Sequence, residues 1–525
     1  LQMRICLLLF FLASRLQGLE ILVYTSVVGG SHLSFASSLI TVLMENGHTV
    51  DFVMARLNTL VKGTGKHKAR NIVSVEFPDG NSPWNRNAGH LADPFEDTSP
   101  SNPFHSIYNI YLDVVDEMCP HVLNSKEVEN LLTAHKYDLA LSSCFDFCSL
   151  GILKGYGIAP VLMYSPTPLY FFQVVHGGHP HLPVYENAVL DSPSQIDRSS
   201  FIDRTLTVIR SAYFYYTHQK NERNATAQFR ARFGKDFPSA AELARNVSYD
   251  FVNSMPFFEE IRPISPRVKF IGGIGIPKFR PISKELDEIL NSSEKGTVIF
   301  SFGTQVPPES FSIESKYKFA EAFKQFPEYN FIWKFDGVTD FGAKNIFNMK
   351  WLPQTDLLSD RRVVAFISHM GQNSYVESAY AGVPLVCIPL FLDQYHNMRQ
   401  SVRFGTGVFL KKTTLTVDSI KDALQKVLFD KSYMNNAREL AAKLADNPDQ
   451  PKRVLLETIE FAAKHKNLGK DMVLAGAWYS FFAAHGYDVV IFLTLSILFL
   501  IYISTRFVVS FTQLICCCRR KAKLD

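Results

Sequence analysis

Cysteine and tryptophan are scarce in this chain, at eight and four of 525 residues. No two cysteines form a C-x-x-C pair, which removes the thioredoxin-type redox motif and the common zinc-finger frameworks. Cys6 and the run Cys516–Cys518 lie near the ends, so the body holds only Cys119, Cys144, Cys148 and Cys387. Four scattered thiols do not make a disulfide scaffold, and whether any two of them pair stays open. An excess of one charge is also missing. Lys and Arg number 54 against 50 Asp and Glu, and nothing in that balance suggests nucleic acid as a partner.

What the chain does have is apolar ends. Residues 3–18, MRICLLLFFLASRLQG, carry a basic start, a short apolar core and small residues after it. Residues 1–18 therefore read as a secretory signal peptide. Near the other end, VVIFLTLSILFLIYIST (489–505) is uncharged and long enough to cross a bilayer, and a span extended to 515 would have to bury or snorkel Arg506. A membrane-proximal segment, 471–488, precedes it. Arg519, Arg520, Lys521 and Lys523 place the tail 506–525 in the cytosol by the positive-inside rule, and the body on the lumenal side. Without the tail and the signal peptide, 47 basic and 49 acidic side chains remain. Cys516, Cys517 and Cys518 flank the membrane where acylation occurs. In a lumenal body the sequons at Asn224, Asn246 and Asn291 become usable.

The length predicts two domains. EILVYTS (20–26), a glycine turn, the helical period of 33–48 with Ser31 or Ser34 as cap, and TVDFVMA (49–55) make a βαβ unit. YDLALSS (137–143) and APVLMYS (159–165) repeat the pattern, whereas 166–260 reads as unordered helices and loops rich in aromatics and histidine. Pro/Gly punctuation over 263–283 marks a linker. A second series then follows: strands at 296–304, 330–335, 363–369 and 384–390, with a helix at 316–327. The expected fold is α/β, with two doubly wound Rossmann-type domains, 19–275 and 276–470, facing a cleft. In such sheets ligands bind beyond the carboxyl ends of the strands.

The stretch VVAFISHMGQNSYVESAYAGVPLVCIPLFLDQ (363–394) sets polar groups at the mouths of two buried strands. His369 ends the first, and a helix over 371–382 begins at Gly371 with Asn373 and Ser374 in its opening turn. A helix N-terminus offers unpaired N–H groups and partial positive charge, so this is an anion seat. Glu377 lies one turn further in, placed to accept from sugar hydroxyls, and the second strand delivers Asp393 and Gln394 to the same rim.

This segment resembles the signature of the UDP-glycosyltransferases, the family that includes the membrane-bound UDP-glucuronosyltransferases. WLPQ (351–354), His369, Gly371, Asn373, Glu377, GVP (382–384) and Asp393-Gln394 fit its spacing, and the likeness covers nearly the whole chain. The resemblance implies a GT-B-like fold and a UDP-sugar as donor co-substrate, with no cofactor and no metal. It implies that Trp351 stacks on uracil and that Gln354 and Glu377 hold the ribose. His369, Asn373, Ser374 and Thr304 would meet the diphosphate, while Asp393 and Gln394 would meet the transferred sugar. On the acceptor side it implies that His32, in GGSHLSF (29–35), is the general base for a lipophilic hydroxyl.

The family's acidic residue that orients this histidine falls at Ser143, and the nearest carboxylate is Asp146. Asp146 is expected to substitute through a loop shift, with weakened catalysis as the alternative. Met370, where the family has Gly or Cys, is a milder departure. The tail KAKLD resembles a dilysine retrieval signal, which implies a single-pass type I protein of the endoplasmic reticulum membrane. The expected activity is inverting transfer of glucuronic acid, or glucose, to small lipophilic acceptors. The alternative is a catalytically weak or inactive UDP-sugar-binding relative with a regulatory or partner role. Oligomeric state, alone or with other chains, stays open.

Overall fold

The computed structural model describes residues 18–78, 82–84, 95, 107–169, 173–174, 177–179, 200–259, 261–276, 280–303, 311–335 and 341–521. Most of the signal peptide, Thr304 and the tail beyond 521 lie outside these, so the expectations placed on them have no structural counterpart.

The apolar runs become strands covered on both faces, as parallel sheets require. In the first half these are β1 (Glu20–Ser26), β2 (Thr49–Ala55), β3 (Ile72–Val75), β4 (Leu139–Ser143), β5 (Val161–Ser165), β6 (Asp250–Val252) and β7 (Val268–Phe270), ordered 3-2-1-4-5-6-7. The second half holds β8 (Thr297–Ser301), β9 (Asn330–Lys334), β10 (Ile346–Met349), β11 (Val363–Ser368), β12 (Leu385–Cys387) and β13 (Gly407–Phe409), ordered 10-9-8-11-12-13. The neighbouring pairs are parallel in both sheets. Strand order reverses between β1 and β4 in one sheet and between β8 and β11 in the other. Those two points are where a doubly wound sheet opens a crevice at its carboxyl edge.

Helix α1 (Gly30–Glu45) connects β1 to β2 and buries Leu33, Ala36, Ile40 and Leu43, one stripe of a 3.6-residue period. It starts three residues earlier than its periodicity suggested. Its N-cap is Gly29, with no side-chain cap, so neither Ser31 nor Ser34 plays that part, and His32 falls in the first turn. Helices α2 (Ile107–Leu123) and α3 (Cys148–Gly155) pack beside the sheet and are joined by a Cys119–Cys148 disulfide. Cys144 and Cys387 are buried free thiols. The stretch that gave no order in sequence contains one 33-residue helix, α4 (Phe201–Phe233). Its period was hidden because its buried face is mostly polar, with Thr207, Ser211, His218, Asn221, Glu222 and Thr226 beside only Ala225 and Phe229.

In the second half come the short α5 (Gln354–Leu358), then α6 (Gln372–Ala381) and α7 (Asp393–Arg403). Gly382 closes α6 at φ 68°, and the Val383 N–H returns to the Ser378 carbonyl at 3.1 Å, a left-handed stop that only glycine adopts without cost.

Helix α8 (Pro451–Lys464) follows the second sheet in sequence, yet it places Leu455, Ile459 and Ala462 in the core of the first, among Ile21, Val23, Leu141 and Phe251. Conversely, Met255 and Phe258, which follow β6, are buried in the core of the second half. The two halves are thus stitched in both directions within one compact unit, residues 1–472. The remaining unit, 473–525, is dominated by α9 (Tyr487–Lys521). Among the described residues it is the one helix long and apolar enough to cross a membrane, over Tyr487–Ile515.

Candidate functional site

The candidate residues fall into two groups, each at a carboxyl edge of its sheet. At the β8/β11 switch point, His369 follows β11 and is only 6% exposed. Its ring is held between two glycines. A Cβ on Gly371 would lie 2.5 Å from His369 Nε2, and one on Gly303 would lie 2.8 Å from Cε1. Among the described residues His369 Nδ1 is buried without a hydrogen-bond partner. Burial, with the Lys334 ammonium nearby, pushes this imidazole down to about 3, so it stays neutral at working pH. Gly371 is the N-cap of α6 and supplies no side-chain cap itself, while the Asp393 carboxyl accepts from the Gln372 N–H of that end. A buried helix N-terminus with one N–H engaged by Asp393 and the others uncapped by their glycine N-cap, beside a histidine with a spare nitrogen, is chemically a seat for an oxyanion.

Backbone strain marks the same place. The non-glycine residues with positive φ among those described are Met370 (68°) and Leu392 (53°). Each stands one or two residues before a helix that carries candidate side chains, α6 and α7. Such conformations cost about 1–3 kcal/mol each and persist where the surroundings enforce them. Met370 is held by its own buried side chain, by its N–H donating to Ser368 Oγ at 3.0 Å, and by Asn397 Nδ2 donating to its carbonyl at 2.9 Å. The departure from the family's Gly or Cys therefore falls at a left-handed position, where glycine is the unstrained choice.

Around the seat, Gln354 Nε2 donates both to Glu377 Oε2 (2.7 Å) and to Ser374 Oγ (3.1 Å), so three candidates are already bonded to one another. Burial raises the Glu377 carboxyl to about 7 and the Asp393 carboxyl to about 6. Asp393 accepts a 3.4 Å contact from Asn397 Nδ2. Gln394 turns inward: its Oε1 accepts from the Leu390 N–H (2.7 Å) and the Phe391 N–H (3.2 Å), bracing the loop after β12. Trp351 is 64% exposed, a flat open face. Lys334, at the end of β9, was not singled out in the sequence. Its Nζ lies 5.1 Å from the Trp351 ring centroid and donates to the Gly303 carbonyl at 2.7 Å, and burial lowers its affinity for the proton. The signal was there in NFIWK, a charge closing an otherwise apolar strand.

At the β1/β4 switch point, His32 is 8% exposed and tilts against Phe145 at a ring-centroid distance of 4.4 Å. Its Nδ1 faces the Ser26 carbonyl at 3.4 Å, and burial lowers the imidazole to about 4. Asp146 does not meet it. Its Oδ2 accepts from Ser26 Oγ and its Oδ1 from the Ser149 N–H at 2.9 Å, and among the described residues no hydrogen bond joins Asp146 to His32. The Asp146 carboxyl is thus engaged by Ser26 and Ser149 and not by the His32 ring. The carboxyl group instead latches the end of β1, whose carbonyl faces the histidine. Ser143 is buried and its Oγ accepts from the Phe145 N–H at 3.4 Å, a local turn rather than a partner for His32.

A profile of the family described as "UDP-glucoronosyl and UDP-glucosyl transferase" matches residues 20–522. The chain is 28% identical to UDP-glucuronosyltransferase 2B1 of Rattus norvegicus over 505 residues, which cover 94% of this chain and 93% of that one. It is 28% identical to UDP-glucosyltransferase 2 of Dactylopius coccus over 507 residues, covering 94% and 93%. Among solved structures it resembles Os79 of O. sativa, in complex with U2F and trichothecene, at TM-score 0.56 and 15% identity, covering 85% of this chain and 99% of that one. It also resembles the calicheamicin glycosyltransferase CalG4 at TM-score 0.56 and 16% identity, covering 86% and 99%. These likenesses establish the GT-B glycosyltransferase fold.

The latch generates a test. Ser26→Ala leaves a buried carboxylate oxygen without its donor and should cost about 1–3 kcal/mol of stability. Asp146→Asn should cost a similar amount, and the pair should be non-additive by about 1 kcal/mol in thermal unfolding. Additive losses would show that the hydroxyl and the carboxyl act separately.

Proposed function

The chain belongs to the UDP-glucuronosyl and UDP-glucosyl transferase family, and from that premise we propose that it moves a hexose, glucuronic acid first and glucose as the alternative, from its UDP ester to a hydroxyl of a small lipophilic acceptor. The observation that carries this reading is the dry seat at the start of α6, where a neutral His369 offers an Nδ1 without a partner among the described residues beside a helix N-terminus whose N-cap is glycine. Residues 276–470 hold the donor in this reading. Trp351 stacks on uracil, Gln354 and Glu377 meet the ribose, and His369, Asn373 and Ser374 meet the diphosphate. Thr304 joins them in this reading. Asp393 and Gln394 lie toward the transferred sugar.

Residues 19–275 take the acceptor. The Ser26 carbonyl favours the His32 tautomer with the proton on Nδ1, which leaves Nε2 as the base. Nε2 removes the acceptor proton, the oxygen bonds to the anomeric carbon from the face opposite UDP, and the carbon–oxygen bond to the β-phosphate breaks, with inversion. The charge left on UDP is stabilised by the α6 dipole and by donors at the seat. The imidazolium is not paired with a carboxylate, so catalysis is expected to be slower than in a relative that has one.

We place the body on the lumenal side of the endoplasmic reticulum membrane, anchored by α9. The Cys119–Cys148 disulfide supports an oxidising compartment. The sequons divide accordingly. Asn224 Nδ2 donates to Asp116 Oδ2 at 2.6 Å between α4 and α2, where a glycan would break the contact. Asn246 and Asn291 are exposed.

In membranes expressing the chain, UDP release from UDP-glucuronate or UDP-glucose should require a phenol or steroid acceptor and vanish in His32→Ala. Because His32 titrates near 4, it is neutral above that pH, and the acid limb of kcat/KM assigned to it should lie near 4 rather than near 6.5. UDP binding without release from either donor would instead support the non-catalytic reading. Peptide N-glycosidase should remove glycans lost in Asn246→Gln and Asn291→Gln, with Asn224→Gln unchanged. A glycan at Asn224 would contradict the packing between α4 and α2, and an unglycosylated, protease-accessible body would contradict the lumenal placement.

A further inference from the structure

We propose that Asn253, from the acceptor half, is a positioning residue that sets which end of the Asn373 amide faces the donor. The inference rests on the reading of the α6 N-terminus as the diphosphate seat. Asn253 directly follows β6 and is 3% exposed. Its Nδ2 donates to the Pro166 carbonyl at 2.9 Å and to Asn373 Oδ1 at 3.0 Å. A backbone carbonyl can only accept, so the Pro166 contact fixes the nitrogen end of the Asn253 amide in place. The second N–H of that nitrogen then has to meet an acceptor on Asn373. With Oδ1 of Asn373 taken, its NH2 group is left to face the other way, as a donor in the first turn of α6.

The rest of Asn253 is anchored on both sides. Its N–H donates to the Ser165 carbonyl at 2.9 Å, and its carbonyl accepts from Gln372 Nε2. One residue thus ties the end of β5 and the Pro166 turn, in the acceptor half, to the first two residues of the donor helix. An amide set the other way would aim a carbonyl oxygen at a phosphate oxygen, two acceptors facing each other. The orientation of a group at the donor seat is therefore dictated by a carbonyl on the acceptor side, and movement of the Pro166 turn would be felt at the seat.

The test is a double-mutant cycle on the full-length detergent-solubilised chain, with UDP binding read by calorimetry. Asn253→Leu keeps the branching of the side chain and removes the donor, and Asn253→Ala serves as a second variant if the first does not fold. Either should weaken UDP binding about three- to tenfold, the worth of one oriented hydrogen bond. In an Asn373→Ala background the same change should alter UDP affinity less than about twofold, since there is no amide left to orient. The donor KM should rise in the single variant by a factor similar to the loss in UDP affinity. An equal loss in both backgrounds would make Asn253 a purely structural contact and overturn the proposal, as would unchanged UDP affinity in Asn253→Leu and Asn253→Ala. If Asn373→Ala alone leaves UDP affinity unchanged, the reading of the seat fails, and the proposal with it.

Discussion

The second half of this molecule depends on keeping an imidazole dry at the mouth of a helix. His369 is neutral because it is buried, and it is buried because two glycines admit its ring where any Cβ would collide. The same geometry forces Met370 into the left-handed region between the histidine and the helix cap. A buried nitrogen without a partner and a strained residue beside it are both costs. A fold retains such costs where something else is gained, and a helix N-terminus with neutral donors suits a leaving group whose negative charge grows as the reaction proceeds. The carboxyl groups nearby follow the same logic. Glu377 and Asp393 are raised by burial, and Glu377, at about 7, is only partly ionised near neutral pH, which limits the negative charge it presents.

The first half is built differently. His32 is also dry, but its neighbour is a strand-end carbonyl, and the nearest carboxyl group serves that strand rather than the ring. Tautomer control is therefore retained while charge balance is not. The outcome is an imidazole that is neutral near neutral pH and that, in the proposed role of base, would be poorly compensated once protonated. The stitching of the halves, through α8 in one direction and Met255 and Phe258 in the other, means that neither site can be shifted without the other half responding.

Much of this was legible in the residues. Strands β1 and β2 match their apolar runs end for end, because a strand buried on both faces leaves a continuous signal. The α6 boundaries were legible from Gly371 and Gly382, since left-handed and close-approach positions select glycine. Hidden were features set by distant partners. Asn253 looks like an ordinary loop residue until Pro166 and Asn373 are seen on either side of it. Asp146 stood three residues from an expected position, and only the fold shows that Ser26 takes its hydrogen bond. Helix α8 is an unremarkable amphipathic helix in sequence, and nothing local tells which core its apolar face will choose. Short strands such as β6 and β13 are too brief for any period to be read.

The central claim is that the start of α6, with His369, binds the diphosphate of a UDP-sugar. Calorimetric titration of UDP into the solubilised chain, beside His369→Ala and a thermal-unfolding control, tests it most directly. The account predicts one UDP per chain and at least tenfold weaker binding in the variant, with its unfolding midpoint nearly unchanged, because an oriented donor to an anion is worth about 1.5–3 kcal/mol. UDP bound equally well by both proteins would contradict it.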